Sequence, residues 1–402
     1  MNDDELAELS LIEVGREIAR RAVSPVDVVR AALARIDRDD PAINAYITVC
    51  RDDALRDAAT AERAIGEGDY RGPLHGVPIS VKDLFAMRGT PTTAGSRIVA
   101  DAAPAEDATV VRRLRAAGAV IVGKTNMLEY AYGEVHPDYG PSRNPWHIAY
   151  GTSGSSSGSA AAVAAGFDYG SFGSDTGGSI RLPAAYCGIA GLKPTYGRVS
   201  RAGVVPLAWS LDHVGPMART VRDCAALLQA VAGHDETDPG SARQAVPDYV
   251  AALDRQAPET IVGVLQPAAD DGVDADVGQT FDAAAAAIAD LGLPGVAVEL
   301  PHPAQAARTL LALMYVEASA WHAANLRQRA KDYSANTRER LELGLLLPGT
   351  LYVDAQRARR VIVDAYRRLF ERIDLLLTPV GPSASYRLED APAHPVLDAG
   401  DR

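Results

Sequence analysis

The stretch Gly151–Arg181, GTSGSSSGSAAAVAAGFDYGSFGSDTGGSIR, constrains this 402-residue chain more than any other. Runs of Gly and Ser stand at both of its ends. Between them lie an Ala-rich segment that reads as a helix, Ser159 to Gly166, and a strand-like piece, Asp168 to Gly173. Glycine permits positive φ and lets backbone N–H groups face a ligand. Serine supplies hydroxyls that act as nucleophile, relay or donor. Two such runs, joined by a segment long enough to fold back on itself, can face one pocket. A nucleophile, a relay and an oxyanion hole can be assembled in that way.

The flanks say what sheet this stretch belongs to. Ser10 to Arg21 has helical spacing, and Ser24-Pro25 starts a second helix that runs to about Arg38. Asn44 to Val49 reads as a strand and Ala54 to Ile65 as a helix, so residues 1–65 are expected to form a helical layer. A strand follows at Val77 to Lys82, then a helix at Thr109 to Ala117 and a strand at Ala119 to Gly123. Helix alternating with strand predicts an α/β fold with a central mixed, largely parallel sheet flanked by helices. Further on, Tyr186 to Pro194 reads as strand then turn and Thr220 to Ala232 as a helix. Strands are expected at Ile261 to Leu265 and Val296 to Leu300, around a helix at Val277 to Leu291. Residues 303–371 read as helical with a break near Gly349, and Asp374 to Val380 as a last strand. With 47% hydrophobic residues, no repeat and no clear linker, one domain over 1–402 is expected, with a catalytic core at 66–380 and a Pro-rich tail at 381–402.

Charge and cysteine usage narrow the function classes. The net charge of −12 opposes direct binding of nucleic acid or an anionic membrane. Cys50, Cys187 and Cys224 are far apart and odd in number, which fits buried thiols in a reducing compartment, not disulfides or a zinc site. The acidic start MNDDELAELS has no apolar signal core, and no apolar run is long enough to span a bilayer. The cytoplasm is the expected location.

Two side chains stand out as candidates. Ser179 follows Gly177-Gly178, where bare backbone can point N–H groups at a developing oxyanion; the competing reading is a tight turn. Lys82 ends an apolar strand. Burial would lower its pKa until it accepts a proton; the competing readings are an exposed strand end or a pair with Asp83. None of the eight histidines lies in a Gly-rich nucleophile elbow, although sequence position alone does not exclude a Ser/His/Asp triad. The run Ser153–Ser159 precedes a helix but has no Walker lysine, which argues against a nucleotide site.

The blocks HGVPISVKD, VGKTNMLEYAYG, NPWHIAYGTSGSSSGSAAAVAAG, GSDTGGSIRLPAAYCGIAGLKP and DLLLTP together resemble the amidase signature family, over most of the chain from about Leu9 to Val380. The resemblance implies a Lys–Ser–Ser triad: Ser179 as acyl-forming nucleophile, Lys82 as general base and Ser155 as the bridging serine after a cis peptide bond. It implies an oxyanion hole from the amides of Thr176, Gly177, Gly178 and Ser179, and hydrolysis of a carboxamide with no cofactor or metal. The family's GGSSGGS stands here as Ser153-Gly-Ser-Ser-Ser157-Gly-Ser159, with serine at two glycine positions. The family's C-terminal segment is expected to be missing after the LLLTP strand. The leading expectation is a stand-alone amidase acting on a small-molecule amide, with a homodimer open. The alternatives are the amidase component of a tRNA-dependent amidotransferase with partner subunits, and a truncated non-catalytic remnant.

Overall fold

The computed structural model describes residues 2–101, 103–255, 259–266 and 272–390. The chain divides into two compact units, Met1–Asp254 with Arg327–Arg338, and Arg255–Leu326 with Glu339–Arg402.

The first unit opens with helices α1 (Asp3–Glu8), α2 (Leu11–Ala19) and α3 (Pro25–Ile43). Local chemistry sets their ends. Ser10 and Glu13 form a reciprocal capping box on α2. Ser24 caps α3, with Pro25 at its first position and Asn44 left-handed at its C-cap. Because Asn44 closes the helix, strand β1 (Tyr46–Val49) starts two residues later than expected. Then follow α4 (Arg51–Gly66), β2 (Pro78–Lys82), α5 (Thr109–Ala116) and β3 (Val120–Thr125). A short hairpin, β4 (Arg143–Asn144) and β5 (His147–Gly151), leads into α6 (Ser157–Ala164) and β6 (Ser171–Asp175). The unit continues with α7 (Arg181–Cys187), β7 (Ala190–Gly191), β8 (His213–Ala218), α8 (Val221–Val231) and α9 (Tyr249–Ala252).

Six of these strands form one mixed sheet in the order β1-β3-β2-β6-β8-β7. β2 lies parallel to both β3 and β6, and β6 is antiparallel to β8. Every residue of β2, β3 and β6 is buried, as strands covered on both faces must be. Helices α3, α4 and α6 pack on β3 through Val29, Leu33, Ile36, Ala58, Val120, Val122 and Ala161.

Three expectations shift. The helix of the Gly/Ser stretch begins at Ser157, inside the serine run, and its strand is Ser171–Asp175, not Asp168–Gly173. Asp168 instead lies buried ahead of the strand, accepting from Tyr46 Oη at 2.8 Å. The segment read as a strand from Tyr186 is the end of helix α7. Gly188 closes that helix in a left-handed C-cap, and the strand that follows is only Ala190–Gly191.

The second unit carries a parallel three-stranded sheet, β9 (Val262–Leu265), β10 (Gly295–Val298) and β11 (Leu375–Leu377), in the order β10-β9-β11. Helix α10 (Ala275–Asp290) connects β9 to β10. The long helical region is α11 (Pro303–Arg329), α12 (Ala335–Leu346) and α13 (Gly349–Leu369), so it breaks twice, near 330–334 as well as at 347–348. The expected tail from Gly381 is described to Asp390, and its residues 391–402 lie outside the described residues. Among the described residues no helix is long and apolar enough to cross a membrane.

Candidate active site

Lys82 is the last residue of β2 and its side chain is 0% exposed. No carboxylate contacts it among the described residues. Its Nζ donates to Ser155 Oγ at 2.6 Å, Ser174 Oγ at 2.9 Å and Ser156 Oγ at 3.1 Å. Burial pushes its pKa down to about 7, against the opposing pull of Asp175 and Asp212. Asp83, the neighbour weighed as its partner, sits 2.7 Å from Lys124 instead. Successive strand residues point to opposite faces, which separates the two pairs.

The three hydroxyls differ in what else they do. Ser156 Oγ donates to the Ser174 carbonyl at 3.2 Å and accepts the Ser174 N–H at 3.3 Å. Its proton is therefore committed. Ser155 Oγ carries no second bond among the described residues and makes the shortest contact to Lys82. An ammonium offers three donors, matching three hydroxyl acceptors. A neutral amine offers two, so one contact must reverse; the protons of Ser155 and Ser174 are both uncommitted, and Ser155 makes the shorter contact to the nitrogen.

The loop before Ser155 departs from expectation. The Gly154–Ser155 peptide is trans, and no cis peptide bond occurs among the described residues. Consecutive left-handed residues, Ser153 (φ 56) and Gly154 (φ 55), make the reversal. Of the two serines at family glycine positions, only Ser153 occupies positive φ; Ser157 is an ordinary helical residue.

Ser179 lies four residues beyond β6 and is half-buried. The Ser156 N–H donates to its carbonyl at 3.3 Å, tying the two loops together. Its hydroxyl makes no hydrogen bond among the described residues, so the structure joins Lys82 to Ser155 directly and Ser179 to them through backbone. Asp175 shapes the loop between. It accepts Gly178 N–H at 2.8 Å, Ile180 N–H at 3.1 Å and the Arg181 guanidinium at 2.9 Å through both Nε and Nη2. Burial works against its charge, yet Arg181 and these amides hold its carboxyl below the usual range. The Gly178 N–H is thereby turned toward Asp175. Of the four amides expected in the oxyanion hole, those of Thr176, Gly177 and Ser179 donate to no acceptor among the described residues. Gly178 holds φ +128, where a side chain would be strained. Gly173, in β6, admits no side chain for a different reason: a Cβ there would lie 2.6 Å from Ser156 Oγ.

A cavity of about 550 Å³ reaches Ser174, Asp212 and His213. Its walls include Tyr196, Val204, Leu207 and Trp209. Arg201 and Asp238, both on its wall, neutralise each other at 3.1 Å. His213 Nδ1 lies 2.6 Å from the Leu211 carbonyl, and burial then the Lys193 charge push its pKa down to about 4. It is neutral and paired with backbone, not with Ser179. Cys50, Cys187 and Cys224 are free and buried, with burial raising their thiols to about 11, 12 and 12. Among the described residues no group of three His, Cys, Asp or Glu is placed to hold a metal ion.

Ser174, Asp175 and Asp212 were not singled out by sequence reasoning. The signal for Asp175 was present, since Asp three residues before a Gly in a turn is placed to accept its N–H. Asp212 is 33 residues beyond Ser179 in sequence and carries no such local signal.

The Amidase family matches residues 27–398, and this chain belongs to it. A glutamyl-tRNA(Gln) amidotransferase subunit from Geobacter sulfurreducens is 44% identical, over 96% of this chain and 84% of that protein. Among solved structures, one described as an unexpected vestigial protein complex revealing the evolutionary origins of an s-triazine catabolic enzyme matches with TM-score 0.92 and 34% identity, over 97% of this chain and 87% of the other. The native peptide amidase of Stenotrophomonas maltophilia matches with TM-score 0.84 and 32% identity, over 98% and 88%. The chain is thus an amidase-family enzyme acting on amides, with the mixed α/β fold of that family.

Proposed function

We propose that this chain hydrolyses a carboxamide through an acyl-enzyme on Ser179, as the catalytic component of an amidotransferase-like complex. The observation that carries the chemistry is Lys82, fully buried, free of carboxylate contact and 2.6 Å from Ser155 Oγ. Neutral Lys82 takes the Ser155 proton while Ser155 takes that of Ser179. Ser179 Oγ then attacks the carbonyl carbon. The amides of Thr176, Gly177 and Ser179 stabilise the negative oxygen of the tetrahedral intermediate. The proton returns along the same hydroxyls to the leaving nitrogen, which departs as ammonia or amine. Water, activated by the same relay, releases the acid and restores Ser179.

The setting is argued from the relatives. An amidotransferase component at 44% identity and a protein complex at TM-score 0.92 both support a chain that works with a partner. In that setting the amide is glutamine, the partner holds the tRNA and the enzyme is cytoplasmic. A free-standing amidase is the second reading, favoured by the peptide amidase that spans 98% of this chain. The test is ammonia release from glutamine and from a panel of primary amides, with the chain alone and together with candidate partner subunits. Glutamine turnover that requires the partner supports the complex. Turnover of other amides by the chain alone replaces it with the second reading. Ser179→Ala must abolish either.

A further inference from the structure

Asp212 stands where three parts of the site meet. It immediately precedes β8 and its carboxylate is buried. One oxygen accepts Thr176 Oγ1–H at 2.6 Å. The Leu207 N–H donates to the other at 2.9 Å, and the Ala208 N–H lies 3.1 Å from both. Thr176 opens the loop that carries Gly177, Gly178 and Ser179, while Leu207 belongs to the cavity wall. One carboxylate therefore fastens the amide-bearing loop to that wall. Asp212 is also, with Asp175, one of two carboxylates whose charge acts on Lys82.

We propose that Asp212 is a positioning residue for amide hydrolysis: through Thr176 it holds the oxyanion amides in register with Ser179. The proposal rests on the hydrolytic reading above. The other charged groups around it are already engaged. Asp175 is bound by Arg181 and two amides, and Arg201, which faces Asp212, is bound to Asp238. The charge of Asp175 acts on both Lys193 and His213, and that of Lys193 acts on His213. None of them ties Thr176 to the cavity wall.

Removing only the Thr176 hydroxyl loosens the loop and leaves the Asp212 charge in place. The experiment is the rate of Ser179 labelling by a fluorophosphonate across the neutral pH range, with thermal melts, on the full chain and its D212N, T176V and T176S variants. The plateau rate of D212N, and that of T176V, should drop roughly tenfold to a hundredfold from loop misplacement. T176V should keep the wild-type midpoint, and T176S should regain most of the rate. If D212N does not fold, the T176V and T176S pair decides. Plateau rates unchanged in D212N and T176V overturn the proposal, as does a T176S variant that regains none of the rate lost in T176V. A wild type that labels at no pH overturns the hydrolytic reading itself, and this proposal with it.

Discussion

Two lysines lie side by side in the central sheet, and burial leads them to different ends. Lys82 ends β2, and Lys124 sits on β3, paired in register with Val81. Both are 0% exposed, and burial lowers the pKa of both. Lys124 lies 2.7 Å from Asp83 Oδ1 and donates to Thr92 Oγ1 at 2.6 Å and to the Pro91 carbonyl at 3.1 Å. Lys82 meets hydroxyls alone. A carboxylate in contact makes a buried lysine a structural cation; hydroxyls in its place leave it able to give up its proton. Desolvation by itself does not make a base.

The sharpest way to break this comparison is to remove Lys82. Lys82→Ala, like Ser179→Ala, should cost about four orders of magnitude in turnover, as expected when a member of such a unit is lost. Lys82→Arg should rescue little, because guanidinium stays charged. Steady-state ammonia release checks this, and an Arg variant near wild-type activity would refute the proton-accepting role.

Next in size is the loss of Asp83. Asp83→Ala leaves Lys124 buried without its counter-ion and should destabilise the fold by about 3–5 kcal/mol. Urea unfolding reads that loss. The folded fraction should keep the wild-type pH midpoint, since Asp83 does not contact Lys82. A shifted midpoint would mean that the two lysines are coupled.

The third prediction concerns pH. Activity requires neutral Lys82, so it should climb through about 7 to a plateau on the alkaline side. Ser174→Ala removes a hydroxyl that accepts from the ammonium and stabilises it. The climb should therefore move to lower pH, by less than one unit or so. An acid limb that moves upward would contradict the assigned direction of that bond.

The smallest effect is at Ser153. Its φ of 56 is one that glycine adopts freely, so Ser153→Gly should add about 1 kcal/mol or less of stability. Ser157→Gly, in the first turn of α6, should be destabilising by a similar amount. Thermal melts of the two variants should move in opposite directions.

Much of the site was legible because its residues stand at punctuation in the sequence. Lys82 closes an apolar strand, and Ser155 and Ser179 sit in Gly-rich runs beside a helix and a strand. What was not legible is made by pairings distant in sequence. Thr176 meets Asp212 36 residues away, and Lys82 meets Ser174 92 residues away. No periodicity reports such contacts. Nor could spacing distinguish Ser156, whose proton is committed, from the available Ser155, since that depends on the Ser174 backbone. The turn before Ser155 was legible in the Gly/Ser run, but its mechanism was not: two left-handed residues make it, with all described peptides trans. The strand read at Tyr186 failed because Gly188 ends a helix there, and a short apolar run fits either element.

Gly173 bears on how this site tolerates change over generations. It is neither nucleophile, relay nor amide donor, yet the smallest possible addition at that position collides with Ser156 Oγ. Ser156 in turn touches Lys82. Random mutagenesis should therefore find position 173 as intolerant as the reacting residues themselves, and a lineage that drifted there would have to vacate Ser156 first. The order of permissible substitutions, and not only the list of essential residues, is written into that one contact.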